Sequence, residues 1–316
     1  MIRILILILI LYPLSEILSQ DISSWNNEMI IVHNHDNVSQ IMGTEQIFEQ
    51  RWDILPQAQF WKKIMRLTPD TCVVNIAKNR HVLEAIPSSE WIHLNRSEKS
   101  IFRDSMRSKY NLGADELVYV TSGKNDFYKF KEVYPSISLG ITVFDSLQVD
   151  PWYAQSILLI ESPGQLKKST SGAYGPFQLM PKVARAQGLI VNRGLDERKD
   201  FGRSAYGAAM LIKNICIPEA KKILKEYNID YAERDIWFRL LVLHVYHAGA
   251  LNVAAVIHKI QPEKGTQELI KQMWQNKAAA FGNCSQNYSQ IAIAAHLILN
   301  DLIYENCHKI VDMQSR

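Results

Sequence analysis

Residues 161–181 read ESPGQLKKSTSGAYGPFQLMP, and the reading of the chain follows from how this stretch begins. An apolar run ends on one acidic residue, Glu161. A polar loop with two later glycines follows, and Phe177, Gln178, Leu179 and Met180 lead to Pro181 and a new helical stretch. Upstream, Asp150 is a good N-cap, and Pro151 suits the first helical position, where its missing N–H costs nothing. Apolar residues then recur at helical spacing, with Ile157, Leu158 and Ile160 predicted to face inward. Pro163 and Gly164 stop the helix just past Glu161. Glu161 therefore stands at a helix C-terminus, where the dipole disfavours negative charge, beside a buried face that disfavours it further. Both effects predict a raised pKa, which a general acid needs near neutral pH.

The loop itself, 169–180, is predicted to form a small hairpin or looped β-element, its glycines supplying dihedrals other residues avoid. With Glu161 and Ser162 it provides Ser169-x-x-Gly172-Ala173-x-Gly175, two further residues, Gln178 and Pro181. This ordered set resembles the soluble lytic transglycosylase family of the lysozyme superfamily. That family's signature is Glu-Ser, a short loop, S-x-x-G-A-x-G, two apolar residues, Gln, two apolar residues and Pro. Two later pieces are similar to the family as well. Residues 206–211 (YGAAML) resemble its small-residue helix behind the cleft, and residues 245–249 (VYHAG) resemble its A-Y-N-A-G motif. The resemblance covers roughly 134–259. It departs at Pro176 and Phe177 where Leu-Met is usual, at His247 in place of Asn, and at Ala250 where Pro is common.

The resemblance implies cleavage of the β-1,4 bond between N-acetylmuramic acid and N-acetylglucosamine, with Glu161 as the single acid and base. The sugar's own 6-hydroxyl attacks, giving a 1,6-anhydro end. Most glycosidases use two carboxylates; this motif places one. By the same resemblance Ser169, Ser171, Gln178 and Tyr246 line the substrate or support the carboxyl, no cofactor or metal is needed, and the partner is the peptidoglycan glycan strand. Each supporting residue also has a plain structural reading: turn chemistry for the serines, a loop-bracing amide for Gln178, a core phenol with a satisfied hydroxyl for Tyr246. Asp196, Glu197 and Asp200 lie between motif pieces, as candidates for a second carboxylate or as solvated loop charges. A goose-type hydrolase and a non-catalytic peptidoglycan-binding scaffold are the alternative functions.

Composition is that of an ordinary globular chain: 47% apolar and 21% charged over 316 residues, enough for one large domain or two ordinary ones. A net charge of +3 gives no case for nucleic acid. Residues 1–19 read as a signal peptide: a minimal basic start, an apolar run from Ile4 to Leu11 too short to span a bilayer, then Pro13. An uncleaved N-terminal anchor is the alternative. Export across the inner membrane to the periplasm or cell envelope is the expected location. Cys72, Cys216, Cys284 and Cys307 have no zinc spacing; in an oxidising compartment a Cys284–Cys307 disulfide would tie down the C-terminal helices.

The expected fold class is α+β, predominantly α-helical, with a lysozyme-like catalytic domain over 131–316. A flexible linker is expected at 20–43, where His33 and His35 lack a third ligand, and a mixed α/β section of unassigned role at 44–130. Helices are predicted at 45–65, 82–91, 98–109, 135–145, 150–161, 181–187, 203–215, 236–244, 251–260, 267–274 and 290–304, and strands at 71–77 and 117–121. The aromatic stretch 124–134 joins the two sections.

Overall fold

The computed structural model describes residues 25–34, 37–161 and 169–314. The fold is α+β and mainly helical. After a 3-10 turn at Asn26–Glu28, the described chain forms a hairpin of β1 (Met29–Asn34) and β2 (Asn37–Met42). Helices α1 (Glu45–Glu49) and α2 (Pro56–Arg66) follow. A three-stranded antiparallel sheet comes next, ordered β4-β3-β5 from β3 (Thr71–Ile76), β4 (Val82–Pro87) and β5 (Val118–Ser122). Helices α3 (Ser89–Ile92) and α4 (Arg96–Lys109) lie between its last two strands in sequence.

The rest is helical: α5 (Phe130–Ser146), α6 (Pro151–Glu161), α7 (Pro181–Ala186), α8 (Phe201–Leu211), α9 (Ile217–Lys225), α10 (Ile236–Ala248), α11 (Ala250–Ile260), α12 (Gln267–Gln275) and α13 (Asn283–Gln314). A π-helical turn, Ile212–Cys216, joins α8 to α9. Among the described residues no helix is long and apolar enough to cross a membrane.

One hydrophobic core runs from Ile41 in the hairpin through α2, α5, α6 and α8 to α13. A second, small core (Cys72, Val74, Ile86 and Val118) lies between the outer face of the sheet and Trp91, Phe102 and Met106 of α3 and α4. The section 44–130 is thus divided: its first helices belong to the main body, and its sheet forms a wing with a core of its own.

Helix α6 is the axis of the body. Asp150 caps it, its Oδ1 accepting from the Trp152 N–H at 2.9 Å. Every residue from Pro151 to Ile160 is buried, as in a helix covered on all sides. Its polar side chains Gln155 and Ser156 are paired, whereas Trp152 Nε1 and the Tyr153 hydroxyl are buried without a hydrogen-bond partner among the described residues. The Gln155 amide bonds both backbone groups of Met42, at 2.9 Å each, and donates to His296 Nδ1 at 3.2 Å. The other ring nitrogen of His296 then carries the proton and donates to Ser156 Oγ at 2.8 Å. Ser156 in turn donates to the Trp152 carbonyl at 2.8 Å. Burial pushes His296 down to about 3, so the ring is neutral, and it stacks on Trp152 at 4.9 Å. Replacing His296 by Ala removes this ring and leaves Gln155 short of an acceptor in the core. The expected cost is about 2–5 kcal/mol, read as a fall in Tm.

Four sequence expectations change. The expected flexible linker at 20–43 is, in its described part, the β1–β2 hairpin, with Ile41 and Met42 buried. Docking on α5 and α6 orders it: besides the Gln155 bonds, Ser138 Oγ accepts from Gln40 N at 2.8 Å, and Trp25 Nε1 donates to Asp145 at 2.6 Å. The expected helix 82–91 is strand β4 followed by the short α3, because pairing with β3 overrides the helical preference of Leu83, Glu84 and Ala85. The expected helix 45–65 breaks at Arg51, which has φ 61°, and restarts at Pro56 as the first residue of α2. Cys284 and Cys307 lie on one continuous helix, α13, about 34 Å apart at 1.5 Å per residue, so they cannot bond to each other. The signal peptide expected at 1–19 lies outside the described residues.

Candidate active site

Glu161 is the last residue of α6 and is partly buried. Residues 162–168 lie outside the described residues, and the chain is described again at Ser169. From there it folds as the expected small hairpin. Ser169 Oγ accepts from the Ala173 N–H at 2.9 Å, and Ser169 N donates to the Ala173 carbonyl at 2.9 Å. Tyr174 and Leu179 form a single antiparallel bridge, each N–H donating to the other's carbonyl at 3.1 Å. Gly175 and Gln178 make the turn between them, with φ 83° and 46°. Both the backbone N–H and the Nε2 of Gln178 donate to the Gly175 carbonyl at 3.0 Å.

The hairpin is held from behind. Arg198, 3% exposed, donates to the carbonyls of Gly172 and Leu179 at 2.9 Å each, and Asp196 pairs with it at 2.7 Å. A Cβ on Gly175 would meet the Arg198 carbonyl at 1.8 Å, so only glycine allows this approach. Helix α8 packs closely at Gly207, where a Cβ would come within 3.0 Å of both Leu179 and Leu189. From the front, Tyr246 of α10 donates its hydroxyl to the Phe177 carbonyl at 2.6 Å, and the buried Phe177 ring stacks on Phe144 of α5 at 5.7 Å.

Three tyrosines feel the charge of Glu161. Tyr128 precedes α5, Tyr246 lies on α10 and Tyr288 on α13. Each is pushed above the usual phenol range, first by burial and next by the Glu161 carboxylate. Burial in turn pushes Glu161 up to about 7, while the Tyr288 hydroxyl, facing it as a donor, pulls it back down. That donor stands looser than a formed hydrogen bond. His247 stacks on Tyr288 at 4.3 Å, and burial drives it down to about 4, so it is neutral where Glu161 titrates. Tyr288→Phe removes the one influence among the described residues that lowers the Glu161 pKa. The alkaline limb of any activity that needs the protonated carboxyl should then move to higher pH, a shift readable in a pH–rate profile.

No other carboxylate, among the described residues, perturbs Glu161, and residues 162–168 contain neither Asp nor Glu. The three acidic residues that could have been its partners are engaged elsewhere. Asp196 pairs with Arg198, Glu197 accepts from Ile190 N and Arg203, and Asp200 caps α8 through Arg203 N. Among the described residues no three His, Cys, Asp or Glu side chains gather as a metal set.

Of the expected supporting residues, Tyr246 lies near Glu161 with its hydroxyl bonded to the hairpin tip. Ser169 and Gln178 brace the hairpin from within, and Ser171 is exposed on it. Sequence reasoning missed Tyr128, Tyr288 and Arg198. Tyr128 sits in the aromatic stretch before α5, but nothing local marks its role. Tyr288 lies in a polar helix start, and Arg198 reads as one more loop charge. No protein-family model matches the chain, and no curated protein matches it.

Proposed function

We propose that the protein is a peptidoglycan lytic transglycosylase. The observation that carries the reading is a lone carboxyl, Glu161, pushed up to about 7 by burial at the end of a fully covered helix, beside a braced S-x-x-G-A-x-G hairpin. At neutral pH a good part of Glu161 holds its proton. It donates that proton to the oxygen of the bond between N-acetylmuramic acid and N-acetylglucosamine as the C1–O bond breaks. The Tyr288 hydroxyl is placed to favour the carboxylate left behind. Glu161 then takes the proton of the muramic 6-hydroxyl as that oxygen bonds to C1, which closes the 1,6-anhydro ring and restores the acid. The cycle needs no second carboxylate and no water. No other carboxylate among the described residues perturbs Glu161, which agrees with this cycle and is why this reading is preferred to hydrolysis.

The test is mass spectrometry of muropeptides released from purified peptidoglycan. Anhydro-muramyl ends are expected. Reducing ends would make the protein a hydrolase, and an unchanged sacculus would leave it a binding protein.

A further inference from the structure

The wing meets the body along a cleft that the proposed reaction does not use. At its centre is Arg80, in the tight turn between β3 and β4, where its backbone is left-handed with φ 61°. The residue is 5% exposed. Its guanidinium donates to Asn287 of α13 at 2.6 Å and to Asn75 of β3 at 3.2 Å. It also lies over the rings of Phe60 and Tyr119, at 5.3 Å from each. Its partners are neutral amides and aromatic faces. Among the described residues no carboxylate pairs with it, and its buried Nε has no partner. Burial without a counter-charge holds it below the usual arginine range, at about 10. A buried cation left in this state is costly unless an anion meets it.

Two cavities flank Arg80. The larger, about 580 Å³, is lined by Asp115 and Glu116 as well as by Lys78, Arg80 and Lys277, a lining of mixed charge. The smaller, about 400 Å³, is one-sided. Arg80, Arg103 and Lys124 line it with Trp61, Trp91 and Tyr119, and no acidic residue takes part. Neither Arg103 nor Lys124 is ion-paired among the described residues; Arg103 lies over the Trp91 ring at 5.6 Å. Three cations, flat aromatic rings and amide groups in one cavity suit a ligand with an anionic group on a ring-shaped, hydrogen-bonding body.

We propose that this smaller cleft is a binding site for a carboxylate-bearing sugar, held by charge from Arg80, Arg103 and Lys124 and by contact with the Trp91 and Tyr119 rings. The choice of sugar rests on the proposed reaction, since N-acetylmuramic acid without a stem peptide carries a free lactyl carboxylate. The need for an anion rests on the cleft alone. The wing then serves to dock, away from the cut bond, a stretch of strand whose muramic acid has lost its stem peptide, which leaves the lactyl carboxylate free.

The experiment is calorimetric titration of the full protein with N-acetylmuramic acid and with N-acetylglucosamine, which differ only in the lactyl ether. N-acetylmuramic acid is expected to bind at least about tenfold tighter, in keeping with a charge-assisted contact. Arg103→Ala with Lys124→Ala, on the cleft rim, is expected to lower that affinity about tenfold and leave N-acetylglucosamine binding unchanged. Arg80→Met is expected to abolish the preference.

Equal affinities for the two sugars, or full retention by the rim double variant, would overturn the site. D-lactate binding as tightly as N-acetylmuramic acid would overturn its sugar component. The two proposals fail separately. Loss of muramic acid binding in the rim variant, with no anhydro ends from wild type, sinks the reaction and keeps the cleft. Anhydro ends together with unaltered binding in the rim variant does the reverse.

Discussion

Glu161→Gln is expected to lower release of anhydro-muramyl ends by about 10²–10⁴-fold, while the protein stays folded. Gln keeps the shape and the buried environment but neither donates nor takes the proton that the proposed reaction moves twice. The pH dependence has a defined sign. The proton that Glu161 must donate is lost as pH rises through about 7, so wild-type activity should fall on the alkaline side of neutrality.

The same shift makes a stability prediction in the other direction. The folded state raises this carboxyl from its ordinary 4.5 to about 7, and so binds the proton more tightly than the unfolded chain does. The contribution of this group is fully present below about pH 4.5 and lost as pH rises through about 7. The variant's glutamine amide has no charge to bury at any pH. Melting curves should therefore show E161Q matching wild type near pH 4 and exceeding it near pH 8. A variant equally stable at both pH values relative to wild type would mean that Glu161 is not desolvated. An active variant would remove it from the chemistry.

The largest loss of stability is expected from Arg239→Met. Arg239 lies on α10, fully buried, and joins two carboxylates: Asp150 Oδ2 at 2.7 Å and Glu28 Oε2 at 2.8 Å. Asp150 is also the cap of α6, so one guanidinium ties the hairpin entrance, the start of the central helix and α10 together. It also lies over Trp152 at 5.5 Å. Removing it leaves two carboxylates, each mostly buried, without a counter-charge, at an expected cost of about 3–5 kcal/mol, read from the denaturant midpoint at constant m.

The triple variant Arg239→Met, Asp150→Asn, Glu28→Gln should recover much of that loss, because the unpaired charges, more than the missing pair, are what destabilise. If the single variant is nearly neutral, the three groups are solvated. If the triple is as unstable as the single, the cost lies in packing around Trp152.

Local chemistry makes several parts of this molecule legible from the residues alone. Asp150 and Pro151 start α6 where the cap residues place its boundary, and the glycines of 169–180 mark the hairpin. These signals act within one turn of chain, so they survive any tertiary context. The misreadings are of the opposite kind. Residues 82–87 have side chains that suit a helix, yet they lie beside β3, and the partner strand decides. Residues 20–43 read as a polar, irregular linker, and it is the Gln155 amide and the faces of α5 and α6 that hold their described part as a hairpin.

The sequence by itself determined one acid at the end of a buried helix, the loop that follows it, and a mainly helical α+β fold. Only the tertiary structure decided what else surrounds that acid beside the Tyr246 of the motif: Tyr128 and Tyr288 from two distant segments, Arg198 behind the hairpin, and no second carboxylate among the described residues. The physical reason is range. Caps, breakers and periodicity act over a few residues, whereas desolvation and charge act through space, on whatever the folded chain brings within a few ångströms.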